Sequence, residues 1–260
     1  MFNLMFWYIY IYQKKENKRM FLFFLLGAIL ASYMYQLVST SNINFKMFYS
    51  RSKCECCHNN ILVKDLVPIV SYLYLRGKCR FCKSTIPFEL FLCELLLGLL
   101  FLIPLSCDAS FDTLLFYYLL IFLVPLSIYD ACHFIIPNHI LVVMVITTFM
   151  LFDISIRHIS VSIFIILLLN CLYFVSNGGI GYGDIKLFGL LSFLLSASQF
   201  LLTFMFTFII AGIFTLIYMC LSKKQFKKVP LVPFITIATL LVLILNHQLN
   251  YYFLGGSYGH

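Results

Sequence analysis

Two aspartates at the ends of apolar stretches are the residues best suited to chemistry in this sequence. Asp130 closes one stretch within Ile-Tyr-Asp-Ala-Cys-His, and Asp184 opens another within Gly-Tyr-Gly-Asp-Ile-Lys-Leu. Two carboxyl groups that share a site cannot both ionise cheaply, so one stays protonated while the other is charged. The charged group can take a proton from water while the protonated group donates to a peptide carbonyl. Together the two residues predict an aspartic protease, although singly Asp184 also suits a helix N-cap and Asp130 a loop.

Residues close to Asp184 extend this motif. Gly181 and Gly183 predict a backbone that can bend and that a substrate strand can approach closely. Lys186 follows two residues after the aspartate, and its long side chain can turn toward that carboxyl group or extend to a membrane interface. We favour the second orientation for Lys186.

Four of the ten cysteines have the spacing of metal ligands. Cys54 and Cys57 form one Cys-x-x-Cys pair, Cys79 and Cys82 form another, and 21 residues separate the pairs. Each pair places two thiolates on one side of a tight turn, so two pairs complete a tetrahedral zinc site. The alternatives are two disulfides, which a reducing cytoplasm disfavours, and unligated thiols. Cys56 is an alternative ligand to Cys57.

The composition requires lipid around the elements that hold these residues. Hydrophobic residues make up 62% of the 260 residues and charged residues 11%, against about 25% charged in a soluble domain. This excludes a soluble enzyme, a secreted disulfide-rich domain and a disordered chain. The net charge of +8 comes from a few clusters, which is typical of a multi-pass membrane protein and argues against nucleic acid as a partner.

The apolar stretches predict an all-α polytopic membrane protein with about eight transmembrane helices. We place them at residues 20–38, 88–103, 113–129, 140–152, 159–176, 185–195, 200–221 and 231–245. The predicted domains are an N-terminal extension (1–19), the first transmembrane helix (20–38), a small cytoplasmic zinc-binding loop domain (39–87), a transmembrane aspartyl protease domain (88–245) and a C-terminal tail (246–260). Met20 is an alternative start, which would place residues 1–19 upstream of the protein.

The distribution of positive charge predicts the orientation. Residues 45–83 carry eight lysines and arginines, and residues 222–229 carry four lysines. With eight crossings both loops fall on one side, which the positive-inside rule assigns to the cytoplasm. Asp130 and Asp184 then lie at that same face. Four cations within residues 14–19 oppose this orientation, but the larger loop outweighs them.

The motifs together resemble the type IV prepilin peptidase family, membrane aspartyl proteases of the Gly-x-Gly-Asp kind. The similarity extends over about residues 27–233. It rests on the Arg-Ser-x-Cys-x-x-Cys segment at 51–57, the segments at 65–72 and 75–82, Asp130 with Ile-Pro-Asn at 136–138, and the segment at 181–187. One such motif is weak evidence, whereas several in this order are specific. The compact, Phe-, Ile- and Lys-rich chain favours the competence-type Gram-positive branch.

This resemblance implies a function and a set of partners. It implies that Asp130 and Asp184 cleave a short basic leader from type IV prepilins or pseudopilins at the cytoplasmic face of the bacterial inner membrane. Many members then methylate the new N-terminus from S-adenosylmethionine through the domain that carries the cysteines. Residues 31–35, Ala-Ser-Tyr-Met-Tyr, lack the glycine and asparagine of the family's Gly-Ser-Phe-x-Asn motif, which leaves methyl transfer in question. The expected cofactors are structural zinc and, with methyl transfer, S-adenosylmethionine.

Substrate recognition cannot rest on bulk charge, because the leader and the cytoplasmic loops are both basic. We expect the apolar substrate helix to pack between spans, with acidic residues meeting the leader. Glu94, which falls where the family has a glutamate at the start of its second span, is one such residue, as are Glu55 and Glu89. The competing hypotheses are a non-enzymatic zinc-loop scaffold and an ion transporter with the two aspartates as ligands.

Overall fold

The computed structural model describes residues 2–40, 52–106, 111–176, 179–222 and 228–245, with side chains described from residue 18 onward. Within these ranges the chain is helical, and its only β-type pairings are two isolated bridges in the cysteine loop. The predicted C-terminal tail, the lysines at 223, 224 and 227, and Lys46 and Arg51 lie outside the described residues. The all-helical prediction is confirmed for the described part of the chain.

Ten helices follow one another along the described chain. They are α1 (Phe2–Ser39), α2 (Val70–Tyr74), α3 (Phe88–Leu100), α4 (Ile103–Ser106), α5 (Thr113–His133), α6 (Asn138–Leu151), α7 (Ile156–Val175), α8 (Tyr182–Leu194), α9 (Ala197–Ser222) and α10 (Val232–Ile244). A 3-10 turn at Val63–Leu66 precedes α2. Helix α1 continues without a break through the predicted boundary between an N-terminal extension and the first span.

Within the part of the chain that the structure describes, five segments are long and apolar enough to cross a membrane. They are Lys18–Ser39, Phe88–Leu105, Thr113–His133, Ile156–Val175 and Ala197–Leu221. The other three predicted spans correspond to α6, α8 and α10, which have only 13 or 14 residues. A helix of that length extends about 20 Å, less than the roughly 30 Å of the hydrocarbon core. A multi-pass architecture is therefore supported, and eight crossings stay a prediction.

The chain forms two compact units, Met1–Ala109 and Ser110–His260. In the first unit, α1 and α3 pack at two glycines. A Cβ added at Gly27 would lie 2.9 Å from the carbonyl oxygen of Leu97, and one at Gly98 would lie 2.9 Å from the ring of Phe24. Small residues at such a crossing let two helix backbones approach closely, as is common between transmembrane helices.

In the second unit, α5 is the most buried of the candidate spans. About two thirds of its span is buried by protein, whereas α7 is only 11% buried and exposes apolar side chains that lipid would cover. Polar contacts connect neighbouring helices. The Tyr118 hydroxyl donates to the Met144 carbonyl (2.7 Å), Ser127 and Thr236 hydroxyls lie 2.7 Å apart, and Ser162 donates to the Ser192 carbonyl (2.8 Å). These bonds join α5 to α6 and to α10, and α7 to α8.

Candidate active site and metal centre

Asp130 lies at the C-terminal end of α5, where the chain leaves the helix. The following turn is closed by Phe134, whose backbone is left-handed (φ 56°) and whose N–H donates to the Asp130 carbonyl at 2.8 Å. The Asp130 residue is only 5% exposed. Its Oδ2 accepts a hydrogen bond of 3.1 Å from the backbone N–H of Val232, the first residue of α10. The partial positive charge of that helix N-terminus favours a nearby carboxylate.

Asp184 lies in the first turn of α8, and its backbone N–H donates to the Gly181 carbonyl at 3.1 Å. The side chain is partly buried. Its carboxyl group is close enough to that of Asp130 to interact with it electrostatically. Two aspartates that are 54 positions apart in the sequence therefore come within electrostatic range of each other in the fold.

The two glycines of the second motif have a steric role. A Cβ at Gly181 would lie 2.7 Å from Oδ2 of Asp184, and a Cβ at Gly183 would lie 3.2 Å from Cδ1 of Ile136. Gly181 has an ordinary extended backbone (φ −63°, ψ 134°), and Gly183 has no left-handed backbone either. These glycines therefore make room for the carboxyl group of Asp184 and for the loop that follows Asp130. The freedom to bend, which we expected from the sequence, is not used in this backbone.

Lys186 connects the two aspartate motifs. Its Nζ donates to Oδ1 of Asn138 at 2.9 Å and lies 4.9 Å from the centre of the Tyr182 ring. The side chain is exposed, in agreement with an orientation away from Asp184. Asn138 is the first residue of α6 and ends the Ile-Pro-Asn segment after Asp130. The contact thus joins the loop after the first aspartate to the helix that carries the second.

The sequence did not indicate that Val232 would contact Asp130. Val232 contributes through its backbone N–H, so the residue type carries no information about the contact. The proline at position 233, within the first turn of α10, is a helix-start signal that could have placed this N–H at a helix end.

The cysteine loop brings four thiols together. The sulfur atoms of Cys54, Cys57, Cys79 and Cys82 all lie within 4.8 Å of one another, and those of Cys54 and Cys82 are 3.7 Å apart. Zinc–sulfur bonds of about 2.3 Å in a tetrahedron place sulfurs about 3.8 Å apart, so the cluster fits a zinc ion. Cys56 is exposed and is not part of this group. None of the described cysteines forms a disulfide.

The two cysteine turns are copies of one local structure, 25 residues apart. The N–H of Cys54 donates to Asn59 O and that of Cys79 donates to Ser84 O, at 3.0 and 2.8 Å. Each turn also contains a left-handed residue four positions after its first cysteine, at His58 (φ 55°) and Lys83 (φ 61°). This repeated turn explains why both Cys-x-x-Cys pairs direct their thiols to the same point.

The four thiols differ in how easily they ionise, because burial and hydrogen bonds from the other cysteines raise the pKa of Cys57 to about 11. The side chain and backbone of Ser84 lower the pKa of Cys82 to about 6, so the thiolate that binds metal is available near neutral pH. Beside the second turn, Arg80 donates to both oxygens of Asp65 at 2.6 and 2.7 Å, and this hydrogen bonding lowers the pKa of Asp65. The ion pair connects the second cysteine turn to the turn that precedes α2.

The acidic residues proposed for leader recognition have different surroundings. Glu94 is buried in α3, where its Oε2 accepts the Ile69 N–H at 2.7 Å. Glu89 accepts a hydrogen bond from the Tyr35 hydroxyl, whereas Glu55 is exposed at the first cysteine turn. All three belong to the first unit, and the aspartates belong to the second.

Two protein-family models match this chain, one over the cysteine loop and one over the aspartates. A family model described as the bacterial peptidase A24 N-terminal domain matches residues 25–106, and one described as the type IV leader peptidase family matches residues 115–217. The first range contains the four clustered cysteines, and the second contains both aspartates.

Three similar curated proteins share one name, prepilin leader peptidase/N-methyltransferase. The prepilin leader peptidase/N-methyltransferase of Bacillus subtilis (strain 168) is 25% identical over 91% of this chain and 98% of its own length. The protein with that name from Aeromonas salmonicida (strain A449) is 25% identical over 81% of this chain and 76% of its own. The one from Neisseria gonorrhoeae is 38% identical over 36% of this chain and 34% of its own. No solved structure matches the chain significantly.

Proposed function

The chain belongs to the type IV leader peptidase family, and we propose from this premise that it is a membrane aspartyl endopeptidase that removes the leader from type IV prepilin-like proteins. Asp130 and Asp184 are the proposed catalytic pair. The observation that carries the assignment is that these two carboxyl groups, at the ends of α5 and α8, are close enough to interact electrostatically. Carboxyl groups on separate helices are costly in a membrane protein and mark functional sites.

The hydrogen bonding suggests a role for each carboxyl group. The Val232 N–H on Asp130 stabilises a negative charge there, so Asp130 is the proposed base and Asp184 the proposed acid. Asp130 takes a proton from a water molecule as the water oxygen attacks the carbonyl carbon of the scissile peptide. Asp184 gives its proton to the carbonyl oxygen. When the tetrahedral intermediate collapses, the proton held by Asp130 passes to the leaving amine and the C–N bond breaks. One hydroxyl of the intermediate becomes the carbonyl of the new carboxyl group and returns its proton to Asp184, so the starting protonation of the pair is restored.

We further propose that the chain crosses the bacterial inner membrane eight times, with the cysteine loop and the aspartate pair at the cytoplasmic face. The positive charge of residues 45–83 supports this orientation. Helices α6, α8 and α10 are shorter than a full span, and locally thinned lipid or flanking residues can accommodate them. A thin membrane around these helices would bring water close to the aspartates, which peptide hydrolysis requires.

The cysteine loop is the proposed structural zinc domain. Cys54, Cys57, Cys79 and Cys82 would hold the ion, which supplies folding energy to a loop with little apolar core. The relatives' name supports N-methylation of the new N-terminus as a second activity, with S-adenosylmethionine as donor. The changed motif at residues 31–35 makes methyl transfer, rather than proteolysis, the activity to verify separately.

The decisive experiment measures cleavage of a pilin-like substrate in membranes by the wild type and by Asp184→Asn. We expect the variant to lose cleavage while its expression and metal content are unchanged. Asp153→Asn is the matched control, because Asp153 is an exposed aspartate that follows α6. Persistent cleavage by Asp184→Asn would remove this residue from the mechanism. Failure of the wild type on several pilin-like substrates would favour the scaffold hypothesis.

A further inference from the structure

An unusual number of apolar side chains is exposed in the segment that precedes the second cysteine turn. Within the twelve residues 63–74, five apolar residues are between 46% and 82% exposed, namely Val63, Leu66, Val70, Leu73 and Tyr74. Single exposed apolar residues are common. The last three belong to α2 at positions i, i+3 and i+4, a spacing that places them on one helix face. That face needs an apolar environment.

Helix α2 packs against the first turns of α3. The N–H of Ile69, which precedes α2, donates to Glu94 at 2.7 Å, and the Tyr72 ring stacks on the Phe91 ring with centroids 4.9 Å apart. Both partners belong to the first two turns of the apolar span Phe88–Leu105. Helix α2 is therefore beside the first turns of a candidate transmembrane helix, and its apolar face stays exposed there.

A strained turn holds α2 in that place. Ile69 has φ 64° and ψ −55°, which is unfavourable for a β-branched residue and persists only where the surroundings impose it. The buried carboxyl group of Glu94 accepts the N–H of this residue. The turn is what lets the chain start α2 directly against α3.

The charges around α2 fit an anionic lipid surface. Lys64, Arg76 and Lys78 flank the apolar residues and are exposed. The acidic residue of the segment, Asp65, is paired with Arg80. Cations next to apolar and tyrosine side chains are typical of segments that bind the headgroup region of the cytoplasmic leaflet.

We propose that residues 63–78 form an interfacial membrane anchor. Val70, Leu73 and Tyr74 insert among the upper acyl chains, and Lys64, Arg76 and Lys78 contact anionic lipid headgroups. Cys79 follows directly, so the anchor fixes the height of the second cysteine turn above the membrane. This inference goes beyond the proposed function and stands whether or not the aspartates cleave a pilin.

Lipid-quenched tryptophan fluorescence tests the anchor in the full chain. Trp7, the single tryptophan, is replaced by Phe, and a tryptophan is introduced by Leu73→Trp or, as control, by His58→Trp at the exposed first cysteine turn. The variants are reconstituted in phosphatidylglycerol–phosphatidylcholine vesicles with brominated upper acyl chains. An interfacial helix buries its apolar face roughly 5–10 Å, so we expect quenching at position 73 at least about threefold stronger than at 58.

The outcomes separate the possible occupants of the α2 face. Equal or weaker quenching at position 73 than at 58 would overturn the anchor. Protection of the position-73 tryptophan from aqueous iodide only after a pilin-like substrate is added would assign the face to a protein partner. Replacing Lys64, Arg76 and Lys78 together by Gln should reduce quenching at position 73, and unchanged quenching would contradict the headgroup contacts. Leu73 is already exposed, and metal content reports that the loop remains folded.

Discussion

The cysteine cluster and the aspartate pair are assembled in different ways. The thiols come from two copies of one tight turn, whose internal hydrogen bonds repeat 25 residues apart. The carboxyl groups come from α5 and α8, and contacts far along the chain position them, including the N–H of Val232 on Asp130 and the packing of Ile136 on Gly183. Local sequence determines the first site, whereas tertiary packing determines the second. Changes in each unit should therefore affect one site and spare the other.

Asp130→Asn should give the largest difference between the two sites, with cleavage lost and zinc binding retained. The amide cannot accept a proton from water, so cleavage of a pilin-like substrate should fall by about 10²–10⁴-fold, the range that general acid–base catalysis contributes. Bound zinc, measured by elemental analysis of the purified protein, should equal that of the wild type. A variant that loses both cleavage and zinc would show that the two sites are not independent.

Gly181→Ala sharpens the comparison, because it changes only the space around one carboxyl group. The added Cβ would meet Oδ2 of Asp184 at 2.7 Å, and a catalytic group displaced by about 1 Å costs on the order of 10²-fold in rate. Gly212→Ala in α9 is the matched control, since nothing lies within 4 Å of its new Cβ. The rates of both variants on the same substrate decide the point. Equal activity of the two would mean that Asp184 does not need its present position.

The same contrast explains which features the sequence could predict. The Cys-x-x-Cys spacing was sufficient for the thiol cluster, because four residues of a tight turn already determine where its sulfurs point. The apolar stretches located the helices, since burial in lipid leaves a long-range compositional pattern. The motif around Asp184 marked a candidate residue, whose catalytic role stays a prediction. It also suggested a bendable backbone, whereas the structure uses Gly181 and Gly183 for space.

Features that depend on packing could not be predicted. A backbone donor such as the Val232 N–H has no side-chain signature, and its pairing with Asp130 spans 102 positions. The number of membrane crossings also depends on neighbours, because α6, α8 and α10 are too short for length alone to decide.

Lys186→Met tests whether the contact between the two aspartate motifs supports cleavage. The variant keeps an unbranched side chain of similar length but removes the bond to Asn138 Oδ1 and the contact with the Tyr182 ring. An exposed bond of this kind contributes on the order of 1 kcal/mol, which corresponds to about fivefold in cleavage rate. Lys186→Arg, which retains the charge and the donors, should recover most of the rate. If Lys186 only positions α8, the pH profile of cleavage should keep its shape in both variants.

Cys57→Ser combined with Cys82→Ser should have the smallest effect on cleavage. It is the reverse of Asp130→Asn, because it should remove the zinc and leave cleavage almost unchanged. Each turn then keeps one thiol, so the four-sulfur site cannot form and bound zinc should be lost. Without the metal the loop should become sensitive to added protease, because its turns have little apolar core to hold them. Cleavage of a pilin-like substrate should stay within about threefold of the wild type, since the aspartates belong to a separate unit.

Cys56→Ser is the control, as this exposed neighbour lies outside the cluster and should retain the metal. A double variant that keeps zinc would contradict the four-cysteine site, and one that loses cleavage as fully as Asp130→Asn would show that proteolysis depends on the cysteine loop.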